Sequence, residues 1–179
     1  AGSQLISDLK ALEITDLAVN VSGLTKGAIT EKYLVSDPTN DNPYDGSFDP
    51  SVDGTFFINL EVPDNADRLI AETVDSESGD MDLFVGAGAT PTAESELCAS
   101  TSGTAIEFCE LVDPAPGAYW VLVQNWEETN GPDLPGELVV LSTAVVPGTD
   151  SDNMHVEGPA SIPAGTLFDL RIFWDEPSM

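Results

Sequence analysis

Four carboxylates stand close together in a stretch that could bind a metal ion. They are Asp75, Glu77, Asp80 and Asp82. Asp80 and Asp82 flank Met81 at the start of an apolar run, and Glu77 precedes them in a turn rich in serine and glycine. Carboxylates two residues apart in an irregular turn can reach one cation, and calcium tolerates irregular oxygen ligands. The pattern therefore predicts either a calcium site or an exposed acidic turn.

A second acidic stretch runs from Asp37 to Gly54 and places aspartate at every fourth position, Asp41 among them. Its Asp-Pro, Asn-Pro and Asp-Gly pairs are turn formers, which explains most of its composition. Asp49 to Gly54 also fits the opening of the EF-hand template, but Leu60 stands where that template needs glutamate. Structural turns and a calcium loop of another type are both compatible with the stretch.

Residues that could catalyse a reaction are scarce. A Ser-His-Asp triad would have to use His155, the single histidine. Residues 7–10 match Ser-x-x-Lys without the companion motifs of that nucleophile class. No zinc-protease or nucleotide-binding motif occurs, and carboxylate pairs arise by chance among 32 acidic residues. We therefore predict no catalytic residue in this chain.

The balance of charge excludes several partners. The chain carries 32 acidic and 5 basic residues, a net charge of −27, and no basic residue lies between Arg68 and Arg171. Contacts to phosphates need lysine and arginine, so neither a nucleic acid nor an anionic membrane surface is an expected partner. The acidity predicts either the solvated surface of an exported protein or carboxylates that converge on divalent cations.

Cys98 and Cys109 are the only cysteines, and they flank a short polar loop. A zinc site is not expected, because no second pair of cysteines or histidines accompanies them. The pair predicts a disulfide bond, which would contribute about 3 kcal/mol through the entropy of the unfolded chain. A disulfide in turn predicts an oxidising, extracellular compartment.

The distribution of apolar residues predicts a chain built from β-strands. Residues 118–126 are apolar on both strand faces and follow a Pro-Gly turn, which predicts a central strand covered on both sides. Alternating patterns bounded by turn residues predict further strands, and no long helix is expected. This spacing is typical of an antiparallel all-β sandwich or jelly roll. The other predicted strands span residues 14–21, 55–62, 67–74, 81–86, 104–112 and 137–146.

Four segments of different character divide the chain. Residues 1–30 form a leader containing the strand at 14–21, and residues 1–13 are either a short helix or part of a neighbouring domain. Residues 31–146 form the sandwich, and residues 147–153 form a polar linker. Residues 154–179 contain a new pair of strands with an apolar row too large to leave exposed. This segment is either a hairpin that docks on the sandwich or the start of a following β domain.

Four motifs follow one another along the chain: Asp53–Pro63, Asp80–Thr92, Cys98 and Cys109 with Glu107, and Pro116–Val123. Together, in this order, they resemble the bacterial pre-peptidase C-terminal domain. The resemblance covers about residues 45–146, and Asp80 and Asp82 match the acidic pair of that family. It implies a β-sandwich of jelly-roll type, here with an extra C-terminal β-hairpin. Residues 37–40 (Asp-Pro-Thr-Asn) and the tail from Gly158 favour a subtilisin-like parent.

The resemblance also implies a function. Members of that family are non-catalytic accessory domains of secreted proteases, so the parent would be a serine endopeptidase whose catalytic domain is the partner of this chain. The module would stabilise that enzyme or assist its secretion and maturation, with calcium as the expected cofactor. The alternative is a module that binds a polymer, either a fibrous protein or a polysaccharide. Tyr44, Phe48 and Trp126 are the aromatic residues expected outside the core for that role.

Overall fold

The computed structural model describes residues 1–19, 21, 23–39, 42–127, 136–149 and 151–175. Asn40 and Asp41 of the second acidic stretch and residues 176–179 of the predicted C-terminal segment lie outside these described residues. The described chain is all-β, as predicted, with one 3-10 turn at Ala93–Ser95, and it contains no helix able to cross a membrane. Its strands are β1 (Gly2–Lys10), β2 (Ala28–Leu34), β3 (Thr55–Val62), β4 (Ala66–Ser76), β5 (Asp80–Ala87), β6 (Glu96–Ser100), β7 (Phe108–Val112), β8 (Gly117–Glu127), β9 (Glu137–Pro147), β10 (Met154–Glu157) and β11 (Leu167–Trp174).

The larger of two compact units, Lys26–Pro147, is an antiparallel β-sandwich. One sheet has the order β2-β9-β4-β7 and the other has the order β3-β8-β5-β6. Counted from the first strand of this unit, these orders are 1-8-3-6 and 2-7-4-5. That is the strand order of a jelly roll, in which paired strands fold over to form two facing sheets. The predicted fold class is therefore confirmed.

Strand β8 is covered on both faces, as its sequence predicts. It pairs with β3 on one side and β5 on the other, so it is a central strand. Tyr119, Val121 and Val123 point into the core between the two sheets. Trp120 and Leu122 point the opposite way, into a smaller second core on the outer face of the same sheet.

The second core is covered by a loop that contains the second acidic stretch. We call residues 35–39 and 42–54 the capping loop. Tyr44 and Phe48 of this loop pack against the second core. The ring of Tyr44 meets Trp120 edge-on at 6.1 Å between centroids, and Trp120 donates its indole N–H to Ser95 Oγ at 3.1 Å. Tyr44 and Phe48 are therefore not surface aromatics, and the expectation that they lie outside the core is wrong. Gly86 lies against Trp120, where a Cβ atom would approach the indole Cζ2 to 2.0 Å.

Hydrogen bonds fasten both ends of the capping loop to β8. The backbone N–H of Asp37 donates to Asn125 O, and the N–H of Asn125 donates to Gly54 O, each at 2.8 Å. Within the loop, the Asp53 carboxylate accepts from the backbone and hydroxyl of Ser47 at 2.6 Å. The hydroxyl bond from Ser47 is the main reason that the pKa of Asp53 is lowered. These contacts fit the interpretation of the stretch as structural turns.

The smaller unit, Ala1–Thr25 with Gly148–Met179, contains a three-stranded sheet of order β1-β11-β10. The predicted C-terminal hairpin is present as β10 and β11, but β11 also pairs with β1 along its other edge. Residues 2–10 are thus a strand, and a helix there is wrong. The strand predicted at 14–21 is also wrong, since the described residues of that segment form one isolated bridge, Ile14 with Ile162. Leu5, Leu9 and Leu12 stand at near-helical spacing, which suggested a helix. The segment is a strand instead, because it pairs with β11 from the other end of the chain.

Candidate functional site

A cleft of about 450 Å³ opens beside the second core on the outer face of the β3-β8-β5-β6 sheet. Its floor comes from alternate residues of β5 and β8. The capping loop forms one wall, and the loop between β6 and β7 forms the other. The residues that line it are Pro43, Asp80, Asp82, Phe84, Thr101, Ser102, Gly103, Gln124 and Trp126.

The pairing of β5 with β8 brings the polar residues of the floor together. Asp82 lies directly opposite Gln124 in the antiparallel register. Side chains opposite one another in such a pair have their Cβ atoms about 5 Å apart. The register shifts between Asp80 and Met81, and such irregularities change the direction of a side chain near a functional site. Because side chains two residues apart in a strand point to the same face, Asp80 and Asp82 both line the cleft.

The disulfide predicted between Cys98 and Cys109 is present, and it supports one wall of the cleft. It joins β6 of one sheet to β7 of the other, so it links the two layers of the sandwich. The loop it closes is held by Glu107, whose buried carboxylate accepts hydrogen bonds from the Ser100 hydroxyl and from the backbone and hydroxyl of Ser102. This arrangement positions residues 101–103 at the edge of the cleft.

The electrostatic environment of the cleft is strongly negative. Asp82 is only 6% exposed, and this burial raises its pKa to about 7, with smaller contributions from the charges of Asp80 and Glu107. Burial also raises the pKa of Asp80, followed by repulsion from Glu127 and Glu107. Among the described residues, every charged group that shifts these two pKa values is an acid.

Two buried oxygen atoms of residues that line the cleft accept no hydrogen bond from the part of the chain that the structure describes. They are Oδ1 of Asp80 and Oε1 of Gln124, which is a fully buried residue. The orientation of the Gln124 amide follows from its other contact, because its nitrogen donates to the Asp37 carboxylate at 2.6 Å. An ionised carboxylate only accepts hydrogen bonds, so the amide NH₂ must face Asp37. The amide oxygen is then left without a donor, and buried polar atoms of that kind are uncommon in proteins.

The four predicted metal ligands separate into two pairs. Asp80 and Asp82 lie together in the cleft. Asp75 is exposed on β4, and the Glu77 carboxylate accepts a hydrogen bond from the Leu138 backbone N–H at 2.9 Å. Among the described residues, no group of three or more His, Cys, Asp or Glu side chains is arranged to hold a metal ion. Calcium binding by the original four residues stays a prediction.

Sequence reasoning missed Gln124 and Glu107 as members of this site. Both lie far from Asp80 and Asp82 along the chain, so no local spacing connects them. One signal was available for Gln124, which is a polar residue inside the otherwise apolar run of β8. A polar side chain that is fully buried in such a strand needs a partner. Glu107 gave a similar signal, because it is an acidic residue between Ile106 and Phe108 in a predicted strand.

His155 belongs to the smaller unit. Its ring stacks on Phe173 with centroids 4.7 Å apart, and its Nε2 atom is 3.9 Å from a carboxylate oxygen of Glu157. Neither contact supplies a hydroxyl nucleophile.

Comparison of the sequence with protein-family models gave no match, and comparison with curated proteins gave none either. The resemblance to the pre-peptidase C-terminal domain therefore stays a prediction from the quoted motifs. The structure defines the class of the larger unit as a jelly-roll sandwich with a disulfide and an acidic cleft.

The raised pKa of Asp82 predicts a dependence of stability on pH. Between the ordinary value of 3.8 and about 7, the folded chain binds a proton at Asp82 that the unfolded chain does not bind. Folding stability therefore falls as the pH rises towards 7. We expect Asp82→Asn to be more stable than the wild type at pH ~8 by on the order of 1 kcal/mol, and the difference to shrink towards pH ~5. Urea unfolding in the presence of a chelator measures it.

Asp75→Asn is the matched control for this measurement, because it also removes one acidic charge from β4–β5 but does so at an exposed position. Its difference from the wild type should be small and should not follow the titration of Asp82. A gap between Asp82→Asn and the wild type that stayed the same at every pH would contradict the prediction.

Proposed function

We propose that this chain is a non-catalytic accessory module of a secreted bacterial subtilisin-like serine protease, and that it stabilises the parent enzyme or assists its secretion and maturation. The observation that carries the proposal is the burial of both faces of β8. Trp120 and Leu122 occupy one core, and Tyr119, Val121 and Val123 occupy the other. The central strand thus contributes packing on both sides, as expected of a stabilising module.

The positions of the quoted motifs support the same proposal. Asp80–Thr92 covers β5 and the turn after it, and Pro116–Val123 leads into and forms the first part of β8. The cysteine pair closes the wall of the cleft between them. Motifs that lie apart in the sequence therefore meet in one part of the sandwich. The disulfide and the net charge of −27 both suit an exported protein.

The coding sequence that precedes residue 1 provides the first test, and we expect it to encode a catalytic domain with the Asp, His and Ser of a subtilisin-like protease. The protease would then be produced with residues 26–147 present, and with these residues replaced by a flexible linker of equal length. We expect the half-life of proteolytic activity on heating, or the secreted yield, to fall about threefold or more in the linker variant. Equal half-lives and equal yields, or the absence of a protease domain upstream, would contradict the proposal.

A second candidate function is polymer binding, and the outer face of the β2-β9-β4-β7 sheet favours it. Tyr33 is 59% exposed and Phe108 is 50% exposed, and Ile29 and Val112 are exposed beside them. The strand register places all four on the same face of the sheet. Ile29 and Tyr33 lie on the edge strand β2, and Phe108 and Val112 lie on the opposite edge strand β7, so a polymer that crosses this face would contact both pairs. Tyr33 and Phe108 thus replace Tyr44 and Phe48 as the aromatic residues available for this role.

Retention on insoluble collagen, casein or chitin distinguishes this candidate. Tyr33→Ser with Phe108→Ser should abolish retention if the sheet face binds the polymer, whereas Trp126→Ser at the cleft should not change it. No retention of the wild type on any of the three materials would count against polymer binding.

A further inference from the structure

The acidic cleft contains oxygen acceptors to which the described residues donate no hydrogen bond. Oδ1 of Asp80 and Oε1 of Gln124 are buried without a hydrogen bond. The carboxylate of Asp82 lies opposite Gln124 and also accepts none from the described residues. The neighbouring hydroxyl of Ser102 already contacts Glu107. Acceptors in this position need a ligand that offers positive charge or hydrogen-bond donors.

A cation satisfies this environment better than a neutral ligand does. The charge of Asp80 acts on Asp82, that of Glu127 acts on Asp80, and that of Glu107 acts on both, so every charge found to shift their pKa values in the described part of the chain is negative. The hydroxyl groups of a sugar would donate hydrogen bonds, but they would leave the repulsion between the carboxylates in place. A divalent cation reduces the repulsion between the carboxylates, and the amide oxygen can coordinate the same cation.

The donor set selects the kind of cation. Two carboxylates and one amide oxygen are hard oxygen ligands, whereas zinc sites are built mainly from histidine and cysteine. The register shift at Asp80 makes the arrangement irregular, and the open side of the cleft leaves room for water. Calcium accepts irregular sets of six to eight oxygen ligands including water, whereas magnesium requires a small octahedral site. Calcium is therefore the best match.

A further carboxylate orients the amide of Gln124 in advance. Asp37 accepts a hydrogen bond from the amide nitrogen and is itself held by the backbone and hydroxyl of Thr39, each at 2.8 Å. Such outer contacts fix a ligand in position before the metal arrives. Because Asp37 belongs to the capping loop, a cation at Gln124 would also strengthen the attachment of that loop to β8.

We infer that the cleft binds one divalent cation, best matched by Ca²⁺, through the carboxylates of Asp80 and Asp82 and the amide oxygen of Gln124. Glu107 adds negative charge behind the site. The ligand set differs from the one that the sequence suggests, because Gln124 takes part and Asp75 and Glu77 do not. The inference concerns a cleft within this chain and is independent of whether the parent is a protease.

Calorimetric titration of the chelator-treated full chain with CaCl₂ tests the inference. We expect one Ca²⁺ per chain, and we expect Asp80→Asn and Asp82→Asn each to weaken the affinity about tenfold or more, since ligand charge sets calcium affinity. Asp75→Asn and Glu77→Gln are the matched controls, because each removes one acid from the neighbouring turn. Their affinities should stay within about twofold of the wild type, because exposed charges are screened by salt. All four substitutions preserve side-chain shape, so the fold should survive.

Luminescence of terbium provides a measurement that depends on position. Tb³⁺ substitutes for Ca²⁺, and Trp126 lines the cleft, where its indole can transfer excitation to the bound ion. We expect Trp126→Phe to lower the sensitised emission severalfold while calorimetry still shows Ca²⁺ binding. Excess Ca²⁺ should displace Tb³⁺, and equal concentrations of Mg²⁺ should displace much less.

Three results would overturn the inference. The first is the absence of Ca²⁺ binding by the wild type at millimolar concentrations. The second is an affinity that Asp82→Asn leaves unchanged. The third is equal weakening by Asp75→Asn and Asp82→Asn, since that would indicate diffuse attraction to an acidic surface rather than a site in the cleft.

Discussion

Replacing Trp120 by alanine is expected to lower the free energy of unfolding by about 3 to 5 kcal/mol, the range for a large aromatic side chain removed from a core. Trp120 is fully buried, packs with Leu122 and Phe84, and holds the ring of Tyr44 edge-on. Its removal leaves a cavity between Gly86 and the capping loop, and Gly86 has no side chain with which to fill it. Urea unfolding measures the loss.

Two further variants show which part of Trp120 matters. Trp120→Phe keeps most of the buried area but loses the hydrogen bond to Ser95, so we expect a loss of about 1 kcal/mol from that bond plus a smaller packing term. Trp126→Ala is the matched control, because this tryptophan is only half-buried and lies at the cleft. We also expect Trp120→Ala to make the capping loop more sensitive to limited proteolysis. A loss below about 2 kcal/mol, with the loop still protected, would show that the second core contributes little.

Removal of the disulfide by the double substitution of Cys98 and Cys109 with alanine is expected to destabilise the chain by about 3 kcal/mol, because the unfolded chain gains the entropy of an open loop. The two cysteines are 11 residues apart in the sequence, and the bond joins strands of opposite sheets. Cys109 is also buried in the main core, so substitution adds a small loss of packing.

The dependence of unfolding on urea separates these two contributions. A chain without the cross-link unfolds to a more expanded state, so we expect the slope of free energy against urea to rise as well as the midpoint to fall. Chemical reduction of the wild type is the control, because it opens the loop without changing the atoms packed in the core. A loss under about 1 kcal/mol in both the reduced and the substituted chain would contradict the prediction.

The disulfide variant also bears on the cleft. Residues 101–103 lie on the loop that the bond closes, and Glu107 holds that loop from within. Opening the loop should therefore loosen one wall of the cleft while leaving the floor of β5 and β8 in place. The capping loop and the disulfide loop are the two parts of the chain whose stability should respond most to a ligand bound between them.

Local sequence patterns were sufficient to predict the class of fold and its central strand. Strands can be predicted from local sequence, because their side chains alternate between two faces and turn residues mark their ends. Strands β3, β5, β8 and β9 were therefore predictable from short segments. The run from Ala118 to Trp126 was correctly predicted to be buried on both faces. The disulfide was predictable because only two cysteines exist and their spacing suits a closed loop.

The contacts between residues far apart in the sequence could not be predicted from local patterns. Tyr44 and Phe48 sit in a polar stretch whose composition predicts a surface loop, yet they pack on Trp120 because that face of β8 must be covered. The cleft joins Asp82 to Gln124 through strand pairing, and such contacts between distant segments leave no mark in local spacing. The same reason applies to β1, whose partner β11 is separated from it by the whole sandwich in sequence. Local preference specifies the strands, and long-range burial specifies their neighbours and hence the site.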